Sequence, residues 1–257
     1  MSGTGSVTIF GINGIHEVQP GEDLASMIAD AAKKSGVGLQ DRDILVVTHK
    51  IVSKSEDRLI DLATIEPSAL ADKFGAMTQK DPRQIEVVLR ESKRIVRMAN
   101  FGVLISETEH GLVCANAGVD ASNVPGEGMV CLLPLDPDGS AETLRQTLLA
   151  KHGVDLAVII SDSFGRPWRH GITNVAIGVA GMDPFADYRG KNDPYGYPLV
   201  ASRMAIADEL AASAELVMGK LDQVPVAVIR GYDYGPPMPG ASTAKDLIME
   251  SERDLFR

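Results

Sequence analysis

Two polar segments of this 257-residue chain place an aspartate beside hydroxyl and amide side chains, just after an apolar, strand-like run. The first covers residues 114–123 and contains Asp120. The second covers residues 160–169 and contains Asp162 and Ser163. Carboxylate and hydroxyl oxygens are the ligands that a hard cation such as Mg²⁺ or Mn²⁺ prefers. Each aspartate could instead cap a helix or form an Asx-turn, so the residues alone leave both interpretations open.

Four basic side chains could hold the anionic groups of a substrate. Arg166 and Arg169 carry planar guanidinium groups that suit phosphate or carboxylate. Lys50 and Lys54 follow an apolar strand and could reach phosphates. Exposed surface positions are the alternative for all four, and Trp168 either stacks on a planar ligand or packs within the protein.

The common signatures of nucleotide and nucleophile sites are missing. The chain has no G-x-x-x-x-G-K-[ST], no G-x-G-x-x-G and no G-x-S-x-G motif. Its five histidines show no H-E-x-x-H spacing. The residues therefore predict an α+β enzyme, metal-dependent and with anionic ligands, but they do not identify the substrate.

Apolar runs and turn residues predict the elements that position these groups. Strands are expected at 7–10, 44–47, 102–106, 112–115, 130–133, 156–160, 175–179 and 224–229. Helices are expected from 20–23 to Gly36, from Asp81-Pro82 onward, from 136–140 to Gly153 and over 204–218, and Ser242 is expected to cap a terminal helix.

The order of these elements favours an α+β fold with mixed or antiparallel sheets and packed helices over a doubly wound parallel sheet, because several strands follow one another between 95 and 135. No linker, repeat or low-complexity stretch divides the chain. We expect one domain over 1–257, built from two intimately associated subdomains. The Pro/Gly-rich stretch 235–240 is expected to be a surface loop.

Composition limits the possible partners. The formal net charge of −10 argues against nucleic acid or an anionic membrane surface. Two cysteines, Cys114 and Cys131, are expected to be reduced and buried. The first six residues resemble no signal peptide and no apolar run could span a bilayer, so a cytoplasmic protein is expected.

The same polar segments resemble those of the coenzyme F420-0:L-glutamate ligases, also called gamma-glutamyl ligases of the deazaflavin coenzyme. The most specific match is Asn-Ala-Gly-Val-Asp-Ala-Ser-Asn over 116–123. Further matches follow in family order at 45–54, 113–123, 133–140, 159–169, 207–211 and 226–231. The chain resembles the stand-alone form, without the nitroreductase-like domain fused to some relatives.

This resemblance implies a two-part α+β fold, a homodimer and a GDP-forming acid–amino-acid ligase. The implied reaction joins the amino group of L-glutamate to the terminal carboxylate of coenzyme F420-0 and can continue through γ-linkages. GTP is the implied co-substrate and an acyl-phosphate the intermediate. Mg²⁺ or Mn²⁺ at two sites, with K⁺ as a further option, are the implied metals.

The resemblance also assigns residues. Asp120, Asp162 and Ser163 correspond to metal ligands, and Asp120, Asp162, Arg166 and Arg169 are the expected catalytic residues. The expected nucleotide contacts are Ile15, His16, Glu17, Val18, His49, Lys50, Lys54, Asn123, Met218, Gly219 and Lys220. The chain departs from the family at His16 and Glu17, and at Ile172 and Asn174, where many bacterial relatives have Gln and Asp. A related amide ligase for another carboxylate and a non-catalytic nucleotide- or deazaflavin-binding protein are the alternatives.

Overall fold

A computed structural model describes residues 5–235 and 242–254. Its strands are β1 Thr8–Gly11, β2 Ile44–Thr48, β3 Leu59–Asp61, β4 Ser92–Met98, β5 Leu104–Thr108, β6 Val113–Ala115, β7 Met129–Cys131, β8 Ala157–Arg166, β9 Arg169–Ala180, β10 Ala186–Asp187, β11 Arg203–Met204 and β12 Val226–Arg230. Its α-helices are α1 Leu24–Lys34, α2 His49–Ser55, α3 Ala69–Thr78, α4 Pro82–Arg90, α5 Pro137–His152 and α6 Ile206–Met218. Short 3₁₀ helices cover Leu62–Thr64, Asn116–Gly118 and Ala244–Leu247.

A five-stranded sheet with the order β1-β12-β2-β8-β9 forms the centre of the fold. Its β2–β8 pair is parallel and its other pairs are antiparallel. Leu45 and Val47 of β2 belong to a core shared with α1 and α5, whereas Ile44 and Val46 belong to a second core shared with α6. Successive residues of a strand face opposite sides, so β2 is apolar from Ile44 to Val47 because both of its faces are covered there.

Residues 59–131 build a smaller unit with a core of its own. It contains the pair β3–β7, the sheet β4-β5-β6, and the helices α3 and α4. Phe74, Ile85, Val88 and Leu104 lie in its core. Helix α3 and strand β4 are absent from the elements that the sequence pattern predicts. Most β4 residues are exposed and its register shifts twice, so it lacks the alternation that identifies a half-buried strand.

The predicted fold class is confirmed, with mixed and antiparallel sheets and packed helices. The division of the chain into one domain of two subdomains stays a prediction. No helix in the described ranges has the length and apolar character that a membrane span needs. Apart from Gly235, the predicted loop at 235–240 lies outside the described residues.

Several predicted boundaries differ from those of the structure. Strand β8 continues through Asp162 to Arg166 and β9 begins at Arg169, because the two strands form a hairpin that extends beyond the end of β2. Helix α5, by contrast, begins at Pro137 with Asp136 as its N-cap, within the predicted start at 136–140. At the other end of the chain, Thr243 rather than Ser242 caps the 3₁₀ helix Ala244–Leu247, since the Thr243 hydroxyl accepts from the Lys245 N–H.

The contact between α5 and β9 depends on a glycine. A Cβ atom on Gly178 would lie 2.3 Å from the carbonyl oxygen of Pro137. Gly178→Ala should therefore push α5 off the sheet and lower the free energy of unfolding by about 1–3 kcal/mol, as measured by urea denaturation. Gly165→Ala in β8 is the matched control, because nothing lies within 4 Å of its Cβ position. Equal unfolding midpoints for the two variants would contradict this packing.

Candidate active site

A polar cavity of about 690 Å³ opens beside the end of the parallel β2–β8 pair. Its walls come from the loop after β1, the β2–α2 junction, the β8–β9 hairpin, the end of α6 and the segment 123–125. The cavity contains most of the predicted site residues, namely Ile15, His16, Glu17, Val18, Lys50, Lys54, Asn123, Asp162, Ser163, Met218, Gly219 and Lys220. His49, Asp120, Arg166 and Arg169 are not part of its lining.

Helix α2 carries the two buried lysines of the cavity. The helix starts at His49, directly after β2, so Lys50 and Lys54 are one turn apart on the same face. Thr48 at the end of β2 pairs with Ser161 of β8, which brings this helix next to Asp162. Parallel pairing of two distant segments thus places basic and acidic groups at the same edge of the sheet.

Lys50 is only 8% exposed and its ammonium group has three oxygen partners. Its Nζ lies 2.6 Å from Asp120 Oδ2 and 2.8 Å from both the carbonyl and the hydroxyl oxygen of Ser122. A buried ammonium needs such partners, because burial without them is costly. Lys50 therefore holds the segment around Asp120 against α2.

Lys54 makes the equivalent connection to the other side of the cavity. Lys54 is 4% exposed, and its Nζ donates to Glu17 of the loop after β1 and lies 2.9 Å from the carbonyl oxygen of Asn123. The sequence analysis treated His16 and Glu17 as departures from the family, and the structure gives Glu17 the role of counter-charge to Lys54. His16 is exposed and lies 3.1 Å from Glu22 Oε1.

The carboxylate of Asp120 is fully engaged within the protein. Its Oδ1 accepts from the Ser122 N–H at 2.8 Å, and its Oδ2 accepts from the Ser122 hydroxyl at 2.7 Å as well as from Lys50. Burial raises the pKa of Asp120, but the Lys50 ammonium and the Ser122 donors together lower it below its ordinary value. The Asx-type contact considered for this residue is therefore present.

Asp162 lies within β8 rather than after it. Its Oδ1 accepts from the Ser163 N–H at 2.7 Å. The same Oδ1 lies 3.3 Å from Nε2 of His49, a side chain that is 1% exposed. This approach does not meet hydrogen-bond geometry, so Nε2 has no hydrogen-bond partner among the described residues. His49 thus contacts the predicted metal ligand rather than lining the polar cavity.

Arg166 and Arg169 lie at the tip of the β8–β9 hairpin. They pair with each other across a turn formed by Pro167 and Trp168, and both are exposed. Pro167 followed by a positive φ of 56° at Trp168 is the pattern of a type II turn. The structure does not bring the two arginines into the polar cavity of the same chain, and their catalytic role stays a prediction.

Comparison with known proteins decides the family. A model described as F420-0:Gamma-glutamyl ligase matches residues 13–231. The chain belongs to the F420-0:gamma-glutamyl ligase family. Relatives named coenzyme F420:L-glutamate ligase include one from Methanothermobacter thermautotrophicus, 46% identical over 98% of this chain and 99% of its own length. Another, from Methanopyrus kandleri, is 45% identical over 94% of both chains, and one from Haloarcula marismortui is 37% identical over 97% of this chain and 95% of its own.

Family membership confirms the predicted resemblance and the prediction of an enzyme of the ligase class. The residues that line the polar cavity, from Ile15 to Pro225, all lie within the matched range 13–231. The assignment of individual residues to metal or nucleotide is not tested by this similarity and stays a prediction.

The oxygen atoms in this gamma-glutamyl ligase fit a cation that is shared with a substrate. No group of three or more His, Cys, Asp or Glu side chains that could hold a metal occurs in the described part of the chain. Mg²⁺ is commonly held by one or two carboxylates together with substrate phosphates and water. Asp162 and Ser163, adjacent on β8 and lining the cavity, match that pattern, whereas Asp120 is bonded to Lys50 and Ser122.

Sequence reasoning missed Glu215 and gave Asn174 no role beyond a departure from the family. Both residues line the cavity; Asn174 accepts from the Ser163 hydroxyl and donates to Glu215. Glu215 lies one helical turn before Met218, which was predicted to contact the nucleotide. That spacing was a usable signal, because side chains three residues apart share a helix face.

Removing the Lys50 ammonium should raise the pKa of Asp120, because burial is then no longer opposed by a counter-charge. We expect a ¹³C NMR titration of the Asp120 carboxyl group to show this higher pKa in Lys50→Met. A carboxylate whose pKa is lower in the folded than in the unfolded protein stabilises the fold at pH values above its unfolded pKa. This contribution to stability is lost as the group is protonated on acidification. Wild type should therefore lose more unfolding free energy than Lys50→Met as the pH falls below 3.8, the ordinary Asp value.

Lys151→Met is the matched control. Lys151 pairs with Asp23, whose pKa is lowered to about 2, mainly by that lysine. This variant should raise the pKa of Asp23 and leave Asp120 unchanged. An unchanged Asp120 titration in Lys50→Met would contradict the assigned partnership.

Proposed function

We propose that this enzyme joins the amino group of L-glutamate to the terminal carboxylate of coenzyme F420-0 and consumes GTP. The observation that supports it best is the polar cavity itself, in which buried lysines on α2 face Asp162 and Ser163 on β8. A site for a nucleoside triphosphate and two carboxylate substrates must balance many negative charges. Lysine ammonium groups can neutralise them directly, and side-chain oxygens can do so by holding a cation.

The proposed chemistry has two transfers. An oxygen of the coenzyme carboxylate attacks the γ-phosphorus of GTP, the bond to the β–γ bridging oxygen breaks, and GDP leaves. The amine of glutamate then attacks the carbonyl carbon of the acyl phosphate. The carbon–oxygen bond to phosphate breaks, inorganic phosphate leaves and the amine loses a proton. Phosphorylation is needed because a carboxylate is a poor acyl donor.

Each wall receives a role in this proposal. The loop of Ile15–Val18, Asn123 and the end of α6 at Met218–Lys220 contact the nucleotide, and Lys50 and Lys54 bind its phosphates. Asp120, Asp162 and Ser163 hold Mg²⁺ or Mn²⁺ at two sites, with K⁺ as a further ion. A bound divalent cation neutralises charge on the phosphates. Because Lys50 is hydrogen-bonded to Asp120, a phosphate group that draws Lys50 away also frees the Asp120 carboxylate for a cation.

The proposal predicts a defined product. Protein incubated with coenzyme F420-0, L-glutamate, GTP and Mg²⁺ should yield the coenzyme with added glutamate, detected by mass spectrometry, together with GDP. Asp162→Asn should reduce the rate by at least about 10²-fold, because a cation without this carboxylate misplaces the phosphates. Asp155→Asn, an exposed aspartate paired with Arg145, is the matched control and should keep wild-type activity.

The alternatives give different results in the same assay. A related amide ligase would release GDP with another carboxylate acceptor and leave coenzyme F420-0 unmodified. A non-catalytic binding protein would bind GTP or the coenzyme without forming product. Full activity in Asp162→Asn would contradict the metal-ligand assignment while leaving ligation itself established.

We also propose a homodimer. The β8–β9 hairpin exposes 79% of Trp168 and 62% of Ile172, and the segment before α6 exposes 95% of Tyr195. Large exposed apolar side chains, such as Trp168 and Ile172 on one hairpin, are typical of protein interfaces. In a two-fold assembly a hairpin can extend over its partner, which would give Arg166 and Arg169 a route to the partner's substrate.

Light scattering should give about twice the 27.4 kDa mass of one chain at micromolar concentration. Ile172→Glu should shift the mass toward the monomer, because it places a charge in an apolar contact. Met77→Glu, at a 69% exposed position on α3, is the control and should leave the mass unchanged. A monomeric mass for active wild-type enzyme would contradict the dimer.

A further inference from the structure

A chain of two hydrogen bonds joins α6 to Ser163 across the polar cavity. The Ser163 hydroxyl lies 2.6 Å from Oδ1 of Asn174, and Nδ2 of Asn174 lies 2.9 Å from Oε2 of Glu215. Asn174 belongs to β9 and is 6% exposed, whereas Ser163 and Glu215 are half-buried. All three residues line the cavity.

The chemistry of the three groups fixes the direction of both bonds. A carboxylate has no proton to give, so Glu215 accepts and the NH₂ group of Asn174 must face it. The amide oxygen of Asn174 therefore faces Ser163. Because that oxygen can only accept, the single hydroxyl proton of Ser163 is donated to Asn174. The lone pairs of the Ser163 oxygen are left for a cation or a donor in the cavity.

We propose that Glu215 is a positioning residue that acts through Asn174 to hold the Ser163 hydroxyl as a ligand for the divalent cation. The inference rests on the cation site of the proposed function. A serine hydroxyl without this constraint rotates and can present its proton to the cavity, which opposes cation binding. Partners of this kind, one bond removed from the metal, commonly contribute 10–100-fold in affinity.

The test measures Mn²⁺ binding in the full-length enzyme without turnover, with free Mn²⁺ quantified by electron paramagnetic resonance. Glu215→Gln should weaken binding about 10-fold. A glutamine can offer either an oxygen or an NH₂ group, so it no longer fixes the orientation of Asn174. Glu209→Gln, which removes the same charge from an exposed position of the same helix, should leave the affinity unchanged.

A double-mutant cycle with Ser163→Ala separates positioning from simple charge. If Glu215 acts through the hydroxyl, Glu215→Gln should change Mn²⁺ affinity by less than about twofold once the hydroxyl is absent. If its negative charge attracts the cation directly, the full loss should persist in the Ser163→Ala background. Should Glu215→Gln fail to fold, Asn174→Ala breaks the same chain and gives the same expectation.

The outcomes also separate this inference from the proposed function. Suppose that Ser163→Ala weakens Mn²⁺ binding. The positioning role alone is then overturned if Glu215→Gln has no effect, or if its effect persists in the double variant. Wild-type Mn²⁺ affinity in Ser163→Ala overturns the cation site at Ser163 and the positioning role together. A loss in Glu215→Gln that disappears in the double variant supports both.

Discussion

The parallel pairing of β2 with β8 is the contact on which the site depends. It joins two segments more than a hundred residues apart and aligns Thr48 with Ser161. Helix α2 starts directly after Thr48. The residues of β8 directly after Ser161 belong to the part of the hairpin that extends past the end of β2. A slip of one residue in this register would turn Asp162 toward the opposite face and separate it from the lysines of α2.

Charge balance is the second constraint on the molecule. Lys50 and Lys54 are more buried than lysines usually are, and each is satisfied by oxygen atoms from a distant part of the chain. These contacts connect α2 to the segment 120–123 and to the loop after β1. The same ammonium groups that assemble the walls are those proposed to bind phosphates, so the proposal couples ligand binding to wall geometry.

The sequence predicted the central strands well and the site contacts only in part. Residues 44–47 and 156–160 are continuous apolar runs, and the structure shows why, since helices cover both faces of the sheet. The end of β8 could not be predicted in this way, because 162–166 pair only with β9 and contain a single large apolar side chain, Phe164. Helix α2 has seven residues and no side-chain cap, so packing rather than propensity forms it.

Side-chain partners depended on tertiary placement that local patterns do not encode. Glu17 was predicted to contact nucleotide, and nothing near it in sequence indicates its contact with Lys54. Asn174 and Glu215 lie 41 residues apart and meet only because α6 packs against β9. The motif over 116–123 could be recognised from the sequence because its residues are consecutive. The contact of its Asp120 with the distant Lys50 could not be recognised in this way.

The pairing of β1 with β12 has a consequence for how the protein is made. These strands are the first and last in the described chain, and the segments next to them, 15–18 and 223–225, both line the cavity. A nascent chain therefore cannot complete this wall until about residue 230 has left the ribosome. Ligands that would stabilise the finished protein therefore have no complete pocket to bind before that point of synthesis.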